Sequence, residues 1–311
     1  HNATHIPFRS WCEICVRGRA QDMGHFEVPK ERSGVSKVLM DYGYTRDNEG
    51  KRDKMITFAG KPILGLKDDE TGYVTANMIP KKGADPFAIK SMNRDIGKIM
   101  GHNKIILKSD QEPAILDLKN KFKKTGMIKV AMEESPVGDS QSGGSIENAM
   151  KQIQGMIRTY KLAVESKIKA EIPEEHPLIA WLVKHSAASL NRYHVGKDGM
   201  TAHRRLRGRN FKKEVVEFGE SVWYLIPKSR GKNKIKSRWA SGIWLGIREE
   251  SGEAIIGTSK GVIKVRTVRR KGSDAERWDV SAIDAMVGTP WEPQPGVDSI
   301  EIGSKIKVRE F

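Results

Sequence analysis

Cysteine is almost absent. The 311 residues hold two, Cys12 and Cys15, in a single Cys-x-x-Cys pair. One pair is no disulfide framework, and such scarcity points to a reducing compartment. Long apolar stretches are missing too. No run of eighteen or more apolar residues occurs, which excludes a hydrophobic transmembrane helix. The opening HNATHIPFRSWCEICVRGRA has no apolar core of the signal-peptide kind. It does not begin with Met, so the chain reads as a fragment or a processed product. Acids are in deficit: 39 Asp and Glu stand against 55 Lys and Arg, a formal net charge of +16. A surplus of that size points to a polyanionic partner, nucleic acid first, with a merely basic protein of the ribosomal type as the other reading.

Against that background three carboxylates stand out. Asp41 closes the apolar run GVSKVLMDYG, Asp110 closes NKIILKSDQEP, and Glu147 opens the helix-like SGGSIENAMKQIQGMIRTYK. Two carboxylates at strand ends and a third on a helix make an oxygen-rich cage of the kind Mg²⁺ and Mn²⁺ prefer. Two such ions can serve both the attacking and the leaving oxygen of a phosphoryl transfer. A turn residue for Asp41, a helix cap for Asp110 and an exposed helix position for Glu147 are the structural alternatives. Lys151, Gln154 and Arg158 follow Glu147 at four, seven and eleven residues, on one helix face. That stripe suits phosphate and base-edge contacts, or is a solvated face.

The periodicity predicts strands in VSKVLMDYGYT, in two runs flanking a turn at DDETG, and in NKIILKS, with a helix over DPFAIKSMNRDIGKIMG. The order β, β, β, α, β implies a mixed sheet with a helical crossover. A helix and a short strand fill 111–134, a Ser- and Gly-rich mobile loop fills 135–146, and a helix starts near Ser145. His176-Pro177 should open another, and His185, His194 and His203 read as ordinary surface or helix residues. From about 200 the texture changes. Residues 203–239 carry twelve Lys and Arg against three acids, a net of +9. Short strands follow, as in a small β-barrel, with Trp223, Trp239 and Trp244 expected in its core or stacked on bases. Lys232, Lys234 and Lys236 suit sequence-independent phosphate contacts. GTPWEPQPGVDSIEIGSK reads as a tail or linker.

His1, His5, Cys12 and Cys15 offer the nitrogen and sulfur ligands of tetrahedral Zn²⁺. A redox dithiol, or a Cys pair with unrelated histidines, is the alternative, and no βαβ pattern surrounds the pair.

Taken in order, THIPFRSWCEICVRGRA, LMDYGY, LKSDQEP, SQSGGSIENAMKQI, LNRYHVGKDGMTAHRRLRGR and FGESVWYLIP with RWASGIWLGI resemble the integrases of long-terminal-repeat retroelements, copia-type above all. The resemblance spans roughly residues 1–295. It implies an α/β fold in three parts: a short zinc-binding segment over 1–30, a ribonuclease-H-like core over 31–200 and a basic SH3-like barrel over 201–295, with 296–311 as tail. It maps a D,D,E triad onto Asp41, Asp110 and Glu147, with 36 residues between the last two, close to the family's spacing. Gln111-Glu112 stands where many members have Asn-Gly. The activity implied is metal-dependent trimming of DNA ends and their joining to target DNA, with two Mg²⁺ or Mn²⁺ ions and a zinc ion. Element ends and target DNA are the implied partners, in a homo-oligomer without membrane contact, cytoplasmic and nuclear. A decayed or domesticated DNA-binding remnant, and another ribonuclease-H-fold nuclease or transposase, are the rival readings.

Overall fold

The computed structural model describes residues 1–19, 34–44, 60–125, 128–134, 140–227 and 235–296. The chain divides after Phe218 into two compact units, His1–Phe218 and Gly219–Phe311. The division falls later than the residue 200 expected from sequence. Residues 201–207 stay with the larger unit because Arg205 donates to the Thr71 carbonyl at 3.0 Å while pairing with Asp198 at 2.6 Å.

In the larger unit, strands β1 (Lys37–Gly43), β2 (Ile63–Asp68), β3 (Val74–Met78), β4 (Lys104–Ser109) and β5 (Lys129–Glu134) form one sheet in the order 3-2-1-4-5. The first three strands pair antiparallel, and β4 and β5 join β1 in parallel. This is the ribonuclease-H-like mixed sheet. All of β3 and nearly all of β2 are buried, so helices cover both faces and the strands read as almost continuous apolar runs. On one face Val38, Met40 and Tyr42 pack with α2 (Pro86–Met92) and α3 (Pro113–Thr125), through Met92, Leu118 and Phe122. Strand alternation therefore turns Leu39, Asp41 and Gly43 to the other face. That face is covered by α4 (Ser140–Ile168) and α5 (Pro177–Tyr193).

Local signals account for most boundaries. Asp85 caps α2 by accepting from the Ala88 amide at 3.0 Å, and Pro86 occupies the first turn. The expected regular helix over 86–100 widens into a π-type segment, Asn93–Met100, which Gly101 ends at φ 84°. Within it Asp95 is buried and accepts from Asn77 at 2.7 Å and Arg94 at 2.8 Å. His176 and Pro177 open α5 as the sequence indicates, the His ring accepting from the Leu178 amide at 3.2 Å. Helix α4, by contrast, starts at Ser140 and takes in Gly143 and Gly144, which were read as loop. Extending a formed helix needs no new nucleus, so poor formers are tolerated at its end. Residues 135–139 of the expected loop lie outside the described residues. His185 is no surface residue. It is buried, stacked on Phe218 at 5.0 Å and edge-on to Tyr160 at 4.9 Å, and burial lowers its pKa to about 3.

The smaller unit is an antiparallel sheet of β6 (Ser221–Leu225), β7 (Trp239–Ile247), β8 (Ala254–Thr258), β9 (Gly261–Val265) and β10 (Val268–Arg270), in the order 10-6-7-8-9. The last strand beside the first is the order of an SH3-like barrel. Arg270 clamps β10 with two 2.8 Å bonds to the buried carboxylate of Glu220, just before β6. Trp244 is in the core, but Trp223 is 42% exposed beneath the Lys271 ammonium, 5.2 Å from its ring centre. The stretch read as a tail is not free of the barrel at its start. The Val262 amide donates to the Pro293 carbonyl at 2.7 Å, an approach that a Cβ at Gly261 or Gly288 would block. Among the described residues no helix is long and apolar enough to cross a membrane.

The DDETG turn between β2 and β3 hangs on buried Asp68. Its carboxylate accepts from the Thr71 amide at 3.1 Å, from the Thr71 hydroxyl, and from His102 Nε2 at 3.2 Å. Burial pushes this carboxyl up, but the bonds from His102 and Thr71 outweigh it and hold the pKa below 3.8. The stability it contributes is complete above that value and is lost as pH falls through the depressed one. Asp68→Asn should therefore cost roughly 1–3 kcal/mol in urea unfolding at pH 7. The difference from wild type should shrink below about pH 4.

Candidate functional site

Asp41 and Asp110 lie at the same level. The parallel pairing of β1 and β4 matches Leu39 with Lys108, and two residues further on each strand come Asp41 and Asp110. Neighbouring strands run about 4.8 Å apart, so the two residues are close in space. Asp41 is half-buried and Asp110 exposed. Glu147 comes from above, on α4. The helix is seated by Met150, whose thioether fills the space over two residues without side chains: a Cβ at Gly65 would lie 2.1 Å from its sulfur, and one at Gly43 2.6 Å from its methyl. Lys67 of β2 also donates to the Ser145 hydroxyl at 2.8 Å, and Gln154 donates to the Tyr44 carbonyl at 2.9 Å. Glu147 sits one turn before Met150 and is exposed.

The electrostatics register this gathering. Burial pushes the Asp41 carboxyl up to about 6, and the charges of Asp110, Glu147 and Glu112 add to the rise. The Tyr42 amide, donating to Asp41 Oδ1 at 2.7 Å, opposes it. Like charges are thus collected at one place, an arrangement that favours cations. Glu112 is the member that sequence reasoning missed. Its signal was only its place two residues after Asp110, and its amide donates weakly to Asp110 Oδ1 at 3.4 Å.

The expected DNA contacts divide. Lys151 is exposed. Gln154 uses its amide on Tyr44, and Arg158 donates from Nε to the Gly18 carbonyl at 3.0 Å, so both serve the fold as well as any ligand. Lys236 is exposed in the smaller unit, while Lys232 and Lys234 lie outside the described residues.

The four His and Cys residues do come together. His5 Nδ1 lies 3.6 Å from the sulfurs of both Cys12 and Cys15, and His1 Nε2 lies 3.4 Å from Cys15. All four ligand atoms lie within 4.8 Å of one another. Tetrahedral zinc with ordinary bond lengths spaces N and S ligands about 3.6 Å apart, so the donor set and spacing fit that ion. His5 has a positive φ of 50°, a costly backbone state that turns its ring onto both sulfurs. Burial first, then the Arg19 charge, lowers its pKa to about 4, which keeps the imidazole neutral as a ligand must be. Cys15 heads α1 (Glu13–Arg19), and α1 packs on α4. There Gly18 meets Thr159 and Gly155 meets Arg19, each too close for a Cβ. This docking was not foreseen, and two helical glycines were its only sequence mark.

No family model matches the chain, and no curated protein matches it. Solved structures do. The catalytic core domain of BIV integrase is 18% identical, with a TM-score of 0.38 over 56% of this chain and 94% of that one. The simian T-cell lymphotropic virus intasome in complex with PP2A regulatory subunit B56 gamma is 14% identical, with a TM-score of 0.43 over 84% and 88%. The HTLV-2 integrase catalytic core domain in complex with magnesium is 15% identical, with a TM-score of 0.39 over 57% and 100%. Likeness at this level says nothing of what the present chain does.

If Met150 over Gly65 seats α4, the two positions are energetically coupled. Gly65→Ala should cost roughly 1–3 kcal/mol by overpacking. Adding Met150→Ala to it should cost less than the two separate losses together, by at least about 0.5 kcal/mol in a double-mutant cycle of urea unfolding. Strict additivity would mean that the contact does not hold α4.

Proposed function

We propose that the chain is a polynucleotidyl transferase of the retroelement integrase type, acting on DNA ends and target DNA. One observation supports this: Asp41 lies near the end of β1, Asp110 follows the neighbouring parallel strand β4, and the charges of Asp110 and Glu147 act on Asp41. Asp41, Asp110 and Glu147 are all oxygen donors, the kind that suits hard divalent cations. Bound there, two Mg²⁺ or Mn²⁺ ions would supply a polarised phosphorus, an activated hydroxyl and a neutralised leaving oxygen. Asp41, the most enclosed of the three, would hold the ions together with Asp110 and Glu147. The net charge of +16 draws the polyanion, and Lys151 beside Glu147 is placed to meet its backbone. Lys236 of the barrel, with Lys232 and Lys234 of the same basic stretch, would grip phosphate without reading sequence. A homo-oligomer fits a reaction on paired DNA ends.

The test is a strand-transfer and end-cleavage assay on DNA with Mg²⁺ or Mn²⁺. Asp110→Asn should lose about a hundred-fold or more in rate, near 3 kcal/mol of transition-state stabilisation, with DNA binding retained. Full activity in that variant would refute the triad. A wild-type chain that binds DNA but never cuts it would favour the binding remnant.

His1, His5, Cys12 and Cys15 we assign to a structural zinc that fastens α1 to α4. Purified under reducing conditions, the protein should carry about one zinc per chain. Cys12→Ser with Cys15→Ser should abolish it and lower the melting temperature. Metal-free wild type would remove the assignment.

A further inference from the structure

A lysine, Lys82, pairs with Glu112, two residues after Asp110. The loop after β3 leaves the sheet where β1 does, because Ile63 pairs with Gly43 on one side and Met78 on the other. Residue 82 of that loop rises beside the two tyrosines that follow Asp41. Its ammonium lies 5.0 Å from the ring centre of Tyr42 and 4.9 Å from that of Tyr44, and it pairs with the Glu112 carboxylate. The Tyr42 hydroxyl, in turn, accepts from the Gly83 amide at 3.2 Å and pins the loop. The Glu112 amide donates to Asp110 Oδ1 at 3.4 Å, so this group and the carboxylate site are one neighbourhood.

We propose that Lys82 is a substrate-contacting residue that takes a non-bridging phosphate oxygen of the DNA strand engaged at Asp41, Asp110 and Glu147. This rests on the reading of those three residues given above.

The physical case has three parts. Solvent screens an ion pair about a third exposed, so the pairing with Glu112 is weak enough to be shared or exchanged. The side chains of Lys82 and Glu112 are 27% and 32% exposed, so a strand can reach the ammonium. The Glu112 carboxylate and the two tyrosine rings together hold the ammonium in place. An ammonium has three N–H donors, so it can take a phosphate oxygen beside or in place of Glu112. The need for such a group is electrostatic. Four carboxylates repel a phosphodiester, and Lys82 is the cation held against one of them. The rival is that Lys82 only neutralises Glu112.

The full chain, as wild type, Lys82→Ala and Lys82→Arg, is titrated with duplex DNA in Ca²⁺ across a range of salt. The alanine variant should bind about ten-fold more weakly, the worth of one charge-assisted hydrogen bond. Its log–log salt slope should flatten by about 0.9, one phosphate fewer. Lys82→Arg should restore most of both, and in the Mg²⁺ assay the alanine variant should raise KM more than it lowers kcat. Unchanged affinity and slope in Lys82→Ala would overturn the proposal. So would a loss of Mn²⁺ binding or of melting temperature that matched the loss of DNA affinity, since a purely structural role predicts that. An active Asp110→Asn in the same series would instead sink the reading of the site, and the salt slope of Lys82→Ala would still report on phosphate contact.

Discussion

The close seating of α4 on the sheet is the constraint on which the rest depends. Met150 can reach the strands only because Gly43 and Gly65 present no side chains there. The helix seated by that contact carries Glu147 one turn before Met150 and brings Gln154 to the Tyr44 carbonyl after β1. The same 29-residue helix continues, and Gly155 and Thr159 receive α1 with its His and Cys cluster. Glu147 and Tyr160 are thirteen residues apart, about 20 Å along the axis. One rigid element therefore spans the carboxylate site and the metal-ligand cluster.

The carboxylate site is unfavourable for the protein by itself. Burial and three neighbouring charges push Asp41 up to about 6, far from an ordinary aspartate. A fold tolerates such a cost where cations or substrate offset it, and here the surroundings lean the same way. Lys82 is held against Glu112 over two aromatic rings, and Lys151 lies one turn beyond Glu147. The His and Cys cluster shows the same logic with softer donors, since neutral His5 and two buried thiols are poor neighbours until a cation joins them.

Much of this was legible in the chain. The strands at Asp41 and before Asp110, the turn at DDETG, the His176-Pro177 helix start and the barrel strands follow from period, caps and turn residues, all of which act locally, though β1 runs on past Asp41 to Gly43. What was missed depends on tertiary contact. Ser140–Gly144 joined α4 because a long packed helix overrides weak propensity. Trp223 faces out because strand alternation beside buried Val222 leaves it no place in the core. His185 is buried because Tyr160 and Phe218, distant in sequence, close over it. Glu112 carried no pattern at all, and its importance comes from standing near Asp41 in space.

The measurement that bears most directly on the account is anomalous diffraction from crystals of the protein soaked in Mn²⁺. Manganese peaks should be bonded to Asp41, with Asp110 and Glu147 each completing the coordination of one. Peaks that touch none of the three, with Glu147 turned to solvent, would contradict the cage on which the proposed chemistry stands.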